Sequence, residues 1–329
     1  MKTAILLAFA TALLAQQPTV DNAKLETRAF SGTLVAELSH AGSGPFWAAY
    51  SEPIVAGQHG DMCSWNRNGN DDSGRTAGAP MRLEGEIALV VLIRMENNRV
   101  DQLRVTSPDC HLDAGGLPFY WLSNVPAAES LAWLKTQAGG AYSETAIMAI
   151  SLHQSNAADQ ILDDLAQTSE PVEVRKRAAF WLGSSRGTHG TATLKRMLTS
   201  DPNSDVRDRV VFALSRTKDP AGIPLVIEAA RTDKDPHIRG QALFWLAQRA
   251  ASQISKEAID NALANDPDSA VRERAVFALS QMNNGEGIPR LIELAKTHRD
   301  PAVRKKAMFW LGQSKDPRAI DFFAQVLKQ

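Results

Sequence analysis

The sequence predicts an α+β chain in which a small, mainly-β domain precedes an all-α solenoid of about five helix pairs and a last helix. Two observations carry this expectation. Segments opening with Val-Arg or Ile-Arg and holding a Phe near their end recur from Val174, at spacings of 32, 32, 33 and 32 residues. Ahead of them, residues 86–95 and 99–107 read as two strands of a hairpin joined through Glu96-Asn97-Asn98. At 329 residues the chain also exceeds what one hydrophobic core usually serves.

Residues 1–15 carry one basic residue, Lys2, and an apolar run from Ala4 to Ala15, followed by Gln16 and Gln17. This reads as a secretory signal peptide, too short for a membrane span, cut after Ala15 or alternatively after Ala12. No other segment is long and apolar enough to cross a bilayer, so the expected location is exported, periplasmic or secreted. Cys63 and Cys110 lie in the exported part, and an even count in an oxidising compartment favours a disulfide. The rival is a zinc set of His59, Cys63, Cys110 and His111, whose spacings match no common finger.

Residues 16–124 form the mainly-β domain. The stretch 32–39, GTLVAELS, alternates like a strand, and 44–53 reads as another strand carrying Trp47 and Tyr50. Residues 66–80 are a Gly/Asn/Asp/Ser-rich loop. Such a domain would also cap the first repeat, which solenoids require.

Residues 125–329 form the solenoid. Each unit is an apolar helix, a turn usually carrying Asp-Pro, and a second helix: VRKRAAFWL at 174, VRDRVVFAL at 206, IRGQALFWL at 238, VRERAVFAL at 271 and VRKKAMFWL at 303. A degenerate unit precedes Val174 and a weaker pair precedes that. The pattern resembles HEAT repeats, in particular the phycobilisome-lyase HEAT-like subtype, and is similar to exported bacterial HEAT-repeat proteins of unassigned function. The resemblance implies a right-handed α-solenoid with the Val-Arg helices on its concave side.

On a helical wheel, Val174, Ala178, Trp181 and Leu182 share one stripe, which is the expected core. Trp181, Trp245 and Trp310 alternate there with Ala213 and Ala278, large beside small, as interdigitated packing uses. Phe180, Phe212, Phe244, Phe277 and Phe309 fall far from that stripe's centre. Three residues before them stand Arg177, Arg209, Gln241, Arg274 and Lys306, and the residues four after are all polar. A concave aromatic ladder with a cationic rim would hold an extended protein or peptide segment. The same ladder read as a satellite of the core has ring packed on ring, and spacing does not separate the two. Arg175, Arg207, Arg239, Arg272 and Arg304 read as structural, pairing with turn aspartates such as Asp201, Asp235, Asp266 and Asp300.

Charge is uneven: residues 170–329 hold 26 Lys+Arg against 19 Asp+Glu, and the rest 10 against 18. The basic half would suit acidic protein segments, or the chain's own acidic half, docked on the groove. Nucleic acid is disfavoured, because an exported protein rarely meets it. No phosphate loop, nucleophile elbow or metalloprotease motif is present. HEAT-like deoxyhypusine hydroxylases hold two irons on His-Glu pairs, and this chain has no His-Glu dipeptide. His153, His189, His237 and His298 form no metal-ligand spacing. The expectation is therefore a non-enzymatic binding scaffold with no catalytic residues, metal or cofactor. The alternative is small-molecule binding or hydrolysis in the β domain, with His59, Asp61 and His111 as first suspects.

Overall fold

The computed structural model describes residues 17–40, 44–56, 63, 88–249 and 253–328. The leader segment 1–15 and the loop 66–80 lie outside them. The chain divides into two compact units, with the break between Ala158 and Asp159.

The first unit holds β1 (Thr19–Asp21), β2 (Lys24–Ala29), α1 (Leu34–His40), β3 (Phe46–Pro53), β4 (Ala88–Glu96), β5 (Arg99–Thr106), β6 (His111–Asp113), β7 (Pro118–Ser123), α2 (Ala127–Gln137) and α3 (Ser143–Leu152). Five strands make one mixed sheet, order β2-β7-β3-β4-β5, while β1 pairs with β6. Strands β3, β4 and β5 run antiparallel, and β7 lies parallel to both β2 and β3. The β4–β5 hairpin turns at Asn97 and Asn98, both in the left-handed region that a tight two-residue turn needs. Strand β4 is an unbroken apolar run buried from Leu89 to Ile93, as a central strand covered on both faces must be. Ala49, Val90, Leu92, Phe119 and Trp121 form the core on one face, and α3 packs over β4 and β5.

One sequence expectation is overturned here. Residues 34–40 are a helix, not a strand. Leu34 and Leu38, four apart, are both buried, whereas Val35 is 62% exposed. The helix start is closed by Thr33, whose Oγ1 accepts the Ala36 N–H, and by Glu37, which accepts from the Ser31 N–H and hydroxyl. That capping chemistry outweighs the short alternation.

The second unit stacks α4 (Ala157–Leu165), α5 (Val172–Ser185), α6 (Gly187–Ser200), α7 (Ser204–Arg216), α8 (Gly222–Thr232), α9 (Pro236–Arg249), α10 (Gln253–Asn265), α11 (Ser269–Ser280), α12 (Ile288–Thr297), α13 (Pro301–Gln313) and α14 (Pro317–Val326). The pairs are α4/α5 through α12/α13, with α14 last. Helices α5, α7, α9, α11 and α13 pack on one another far more closely than α6, α8, α10 and α12 do. The Val-Arg helices are therefore the inner, concave layer.

The turns repeat one hydrogen-bonding scheme. Asp201, Asp233 and Asp266 accept the backbone N–H two residues on. Asn203, Asp268 and Asp300 then cap the helices that follow. Three arginines of the second-position column reach forward to the next turn: Arg175 to Asp201 at 2.8 and 3.1 Å, Arg207 to Asp233 at 2.9 and 3.1 Å, and Arg239 to Asp266 at 2.8 and 2.9 Å. Each also donates back to a carbonyl of its own turn, as Arg207 does to Asp201 O at 3.1 Å. The partner of Arg207 is Asp233 and not Asp235, which instead accepts the His237 N–H. In the turn before α13 His298 occupies the first aspartate's place, and Arg272 pairs with the capping Asp300. Burial pushes the Asp266 carboxyl up, but the Arg239 hydrogen bond and the Asp268 N–H outweigh it and leave it below the usual range.

Candidate functional site

The inner layer carries an unbroken file of aromatic rings. Successive centroids from Trp181 through Phe180, Phe212, Trp245, Phe244, Phe277 and Trp310 to Phe309 lie 5.0, 6.2, 4.8, 5.0, 5.7, 5.0 and 5.0 Å apart. The alternation of Phe-Trp with Phe-Ala builds it. Phe180 and Phe212 stack within 8° of parallel, as Phe244 and Phe277 do within 3°. Each phenylalanine of a Phe-Ala repeat then meets the tryptophan of the repeat after it, as Phe212 meets Trp245 and Phe277 meets Trp310. Each such pair is worth roughly 0.5–1.5 kcal/mol beyond its area.

The rings are packed along the file and open at its edge. Phe180, Phe212, Phe244 and Phe277 are half-buried, and Phe309, at the file's end, is 51% exposed. Trp181 is buried in the core stripe with Ala178 and Leu182, but Trp245 and Trp310 are half-buried members of the ladder. Their rings meet the phenylalanine of the repeat before, Phe212 and Phe277.

Cations border the file. The guanidinium of Arg209 lies 5.6 Å from the Phe212 ring centre and that of Arg216 5.9 Å, while Arg274 stands 5.6 Å over Phe277. Arg274 also donates to Gln241 at 2.8 Å, and Lys306 lies 3.3 Å from Glu273. Arg177 is half-buried on α5; Lys176 first, then Arg177 and Arg209, hold the Glu173 carboxyl below its usual range. An open cavity of about 670 Å³ lies on α9, α11 and α13 among Gly240, Glu273, Arg274, Phe277, Lys306 and Trp310. A Cβ on Gly240 would come within 2.9 Å of Arg274 Cγ, so that glycine lets the arginine stem cross between helices.

Among the suspects in the first unit, Cys63 and Cys110 form a disulfide. Their sulfurs lie near the Asp109 carboxylate, but with both sulfurs in the bond the group keeps one ionic oxygen ligand and no thiolate. His59 and Asp61 lie outside the described residues. His111 sits on β6 with Nε2 2.7 Å from Asp21, tying the small strand pair together. A constellation without any sequence motif appears nearby: the Ser130 hydroxyl lies 3.0 Å from Tyr50 Oη and 2.9 Å from His153 Nε2. All three side chains are at or below 1% exposure, so this set joins β3, α2 and the end of α3 rather than meeting a substrate. Beside it Glu52 is buried, and burial pushes its carboxyl up to about 8.

Stacked helix pairs with a recurring Asp turn and a forward-reaching arginine define an α-solenoid of short repeats. Residues 158–247 and 257–329 match the HEAT-repeat family, and the chain is a HEAT-repeat protein over this part. Over 110 residues, 32% of this chain, it is 36% identical to the bilin biosynthesis protein MpeU of Synechococcus sp.. Over 173 residues, 52% of this chain, it is 25% identical to deoxyhypusine hydroxylase of Arabidopsis thaliana. The matches span 36% and 52% of those relatives' own lengths. The solved complex of CpcE and CpcF of phycocyanin lyase from Nostoc sp. aligns with 49% of this chain at 21% identity and a TM-score of 0.34.

These relatives correct the expectation of a non-enzyme, since the curated ones carry the names of a hydroxylase and of a biosynthesis protein. The inference from missing motifs failed for a physical reason. On a solenoid, groups that share a site come from repeats some 32 residues apart and leave no local signature. Among the described residues no helix is long and apolar enough to cross a membrane.

Proposed function

We propose that the concave face of the repeats binds an extended segment of a partner protein, with apolar side chains laid along the ring file and acidic groups on its cationic rim. The observation that carries this is the unbroken file of half-buried rings across α5, α7, α9, α11 and α13, bordered by Arg177, Arg209, Arg274 and Lys306. Rigid aromatic surface supplies affinity at low entropy cost, and the cations supply orientation and on-rate. Any chemistry would act on what this face holds. The test is selection from a displayed library of acidic, aromatic-containing peptides, followed by affinity measurement on Arg209→Glu/Arg274→Glu, the first position half-buried and the second exposed. Selected peptides should lose about tenfold or more in affinity, roughly 1.4 kcal/mol, with melting unchanged. Unchanged affinity in the variant places binding elsewhere.

The cavity at Arg274, Lys306, Phe277 and Trp310, together with the similarity to a bilin biosynthesis protein, favours a second occupant class: a planar conjugated molecule bearing carboxylates. Titration with a free bilin would then shift its absorption and quench tryptophan emission, and Lys306→Glu would abolish both. No spectral change at saturating bilin removes this reading.

A further inference from the structure

The five-stranded sheet ends on β2 at one side and on β5 at the other, and the two edges differ. Along β5, α3 packs against the strand and the Tyr142 hydroxyl donates to the carbonyls of Val100 and Asp101. Along β2, Lys24, Leu25, Glu26, Thr27 and Ala29 are exposed and Arg28 is half-buried, so the strand is held through β7 alone among the described strands. The Phe30 N–H donates to Ser123 O at 3.0 Å, and Arg28 O accepts the Ser123 hydroxyl at 3.2 Å. The even-numbered residues thus turn their backbone groups to β7. Backbone groups alternate sides along a strand, so Leu25, Thr27 and Ala29 turn theirs to the outer edge, where no described strand pairs with them. The side chains alternate too. Glu26 and Arg28, 2.8 Å apart, share one face with Tyr120, whose ring lies 3.7 Å beneath the guanidinium, and Leu25, Thr27 and Ala29 share the other.

The geometry points to a second copy of this chain as the occupant of that edge, its β2 paired antiparallel with this one about a two-fold axis at Thr27. An isologous contact sets one residue against another and then the second against the first. With Thr27 opposite the other copy's Thr27, Leu25 falls opposite Ala29, and Glu26 opposite Arg28 on both sides of the axis. The outward-turned residues are then the hydrogen-bonded pairs. The opposite charges fall at the positions between them, where facing side chains come closest. Moving the axis to Glu26 would set Glu26 against Glu26 and Lys24 against Arg28. Moving it to Arg28 would set Arg28 against Arg28. Like charges directly opposite destabilise a pair, so charge selects the Thr27 register. The two five-stranded sheets then continue as one, and the exposed Leu25 is covered by the other copy's Ala29. Six residues a side bury less than the roughly 1,200 Å² of a stable interface, so the dimer is weak.

Sedimentation velocity of the full chain from about 1 to 300 μM is the test, a range that brackets a Kd of tens of micromolar. The expected result is a monomer–dimer equilibrium, with amide exchange at Leu25, Thr27 and Ala29 slowing as the dimer fills. Thr27→Pro removes an N–H that faces away from β7, so it should abolish the dimer with melting unchanged. Glu26→Arg and Arg28→Glu should each weaken association about tenfold, because each sets like charges opposite. An equal mixture of those two variants should restore it, since every facing pair is then of opposite sign. A wild-type chain that stays monomeric throughout overturns the proposal. So does a dimer indifferent to Thr27→Pro, or a mixture that does not recover.

Discussion

In the repeats, Arg175, Arg207 and Arg239 are buried and each meets an aspartate through two hydrogen bonds. In the sheet unit Glu52 is 3% exposed, and its Oε1 has no hydrogen-bond partner among the described residues. Both units bury charge-bearing groups, but they hold them differently. A repeat that places an arginine at the second position of one helix also places an aspartate in the next turn, so each copy completes its neighbour. The sheet has no such copying, and its polar groups depend on whichever elements meet. In the repeats the Arg239 hydrogen bond helps hold the Asp266 carboxyl below its usual range, while burial without a partner pushes Glu52 up to about 8.

The largest expected effect tests the paired side of that contrast. Arg207→Ala leaves Asp233 buried without its partner and should cost about 3–5 kcal/mol of second-unit stability, read by urea unfolding. Arg304→Ala, whose guanidinium holds no carboxylate among the described residues, should cost about 1 kcal/mol or less. Equal losses in the two would break the comparison, because the ladder would then owe nothing to its ion pairs.

A smaller effect tests the unpaired side. The Glu52 carboxyl stands near 4.5 in the unfolded chain and about 8 in the fold. The folded state therefore binds the proton more tightly. First-unit stability is highest below about pH 4.5 and falls as pH rises toward 8, by a few kcal/mol. Glu52→Gln should remove that slope and raise stability at high pH. A slope that survives in Glu52→Gln belongs to another group.

What was legible in the sequence follows the same division. The repeats announced themselves because every copy had to satisfy the same neighbour, so Arg and Phe recurred at fixed places and even the structural role of the arginines could be read. The finer pairing was less legible: Asp233 and Asp235 both stand in one turn, and only the backbone shows that one caps while the other reaches the guanidinium. The tryptophans looked like core because a wheel gives direction but not size. In the sheet unit, Val90 and Ile93 marked a buried strand by composition alone. The Tyr50–Ser130–His153 set left no trace, since its members lie 80 and 23 residues apart and meet only through folding. Helix α1 was missed because seven residues hold too few turns for periodicity to outvote a short alternation.

The smallest effect sharpens the comparison within the ring file itself. Phe277 lies between Phe244 at 5.7 Å and Trp310 at 5.0 Å and carries Arg274 over its face, while Phe309 pairs with one ring among the described residues, Trp310, and is 51% exposed. Truncating a ring removes its buried area and its ring contacts together. Phe277→Ala should therefore cost about 2–3 kcal/mol, somewhat less than a fully buried phenylalanine, and Phe309→Ala about 1 kcal/mol or less. Both are read by chemical unfolding. If the two losses match, exposure does not grade the file, and its rings act as ordinary core. If they differ as expected, stability resides in the stacked interior of the file and falls toward its end. Phe309 is then the position where binding can be altered with the least damage to the fold.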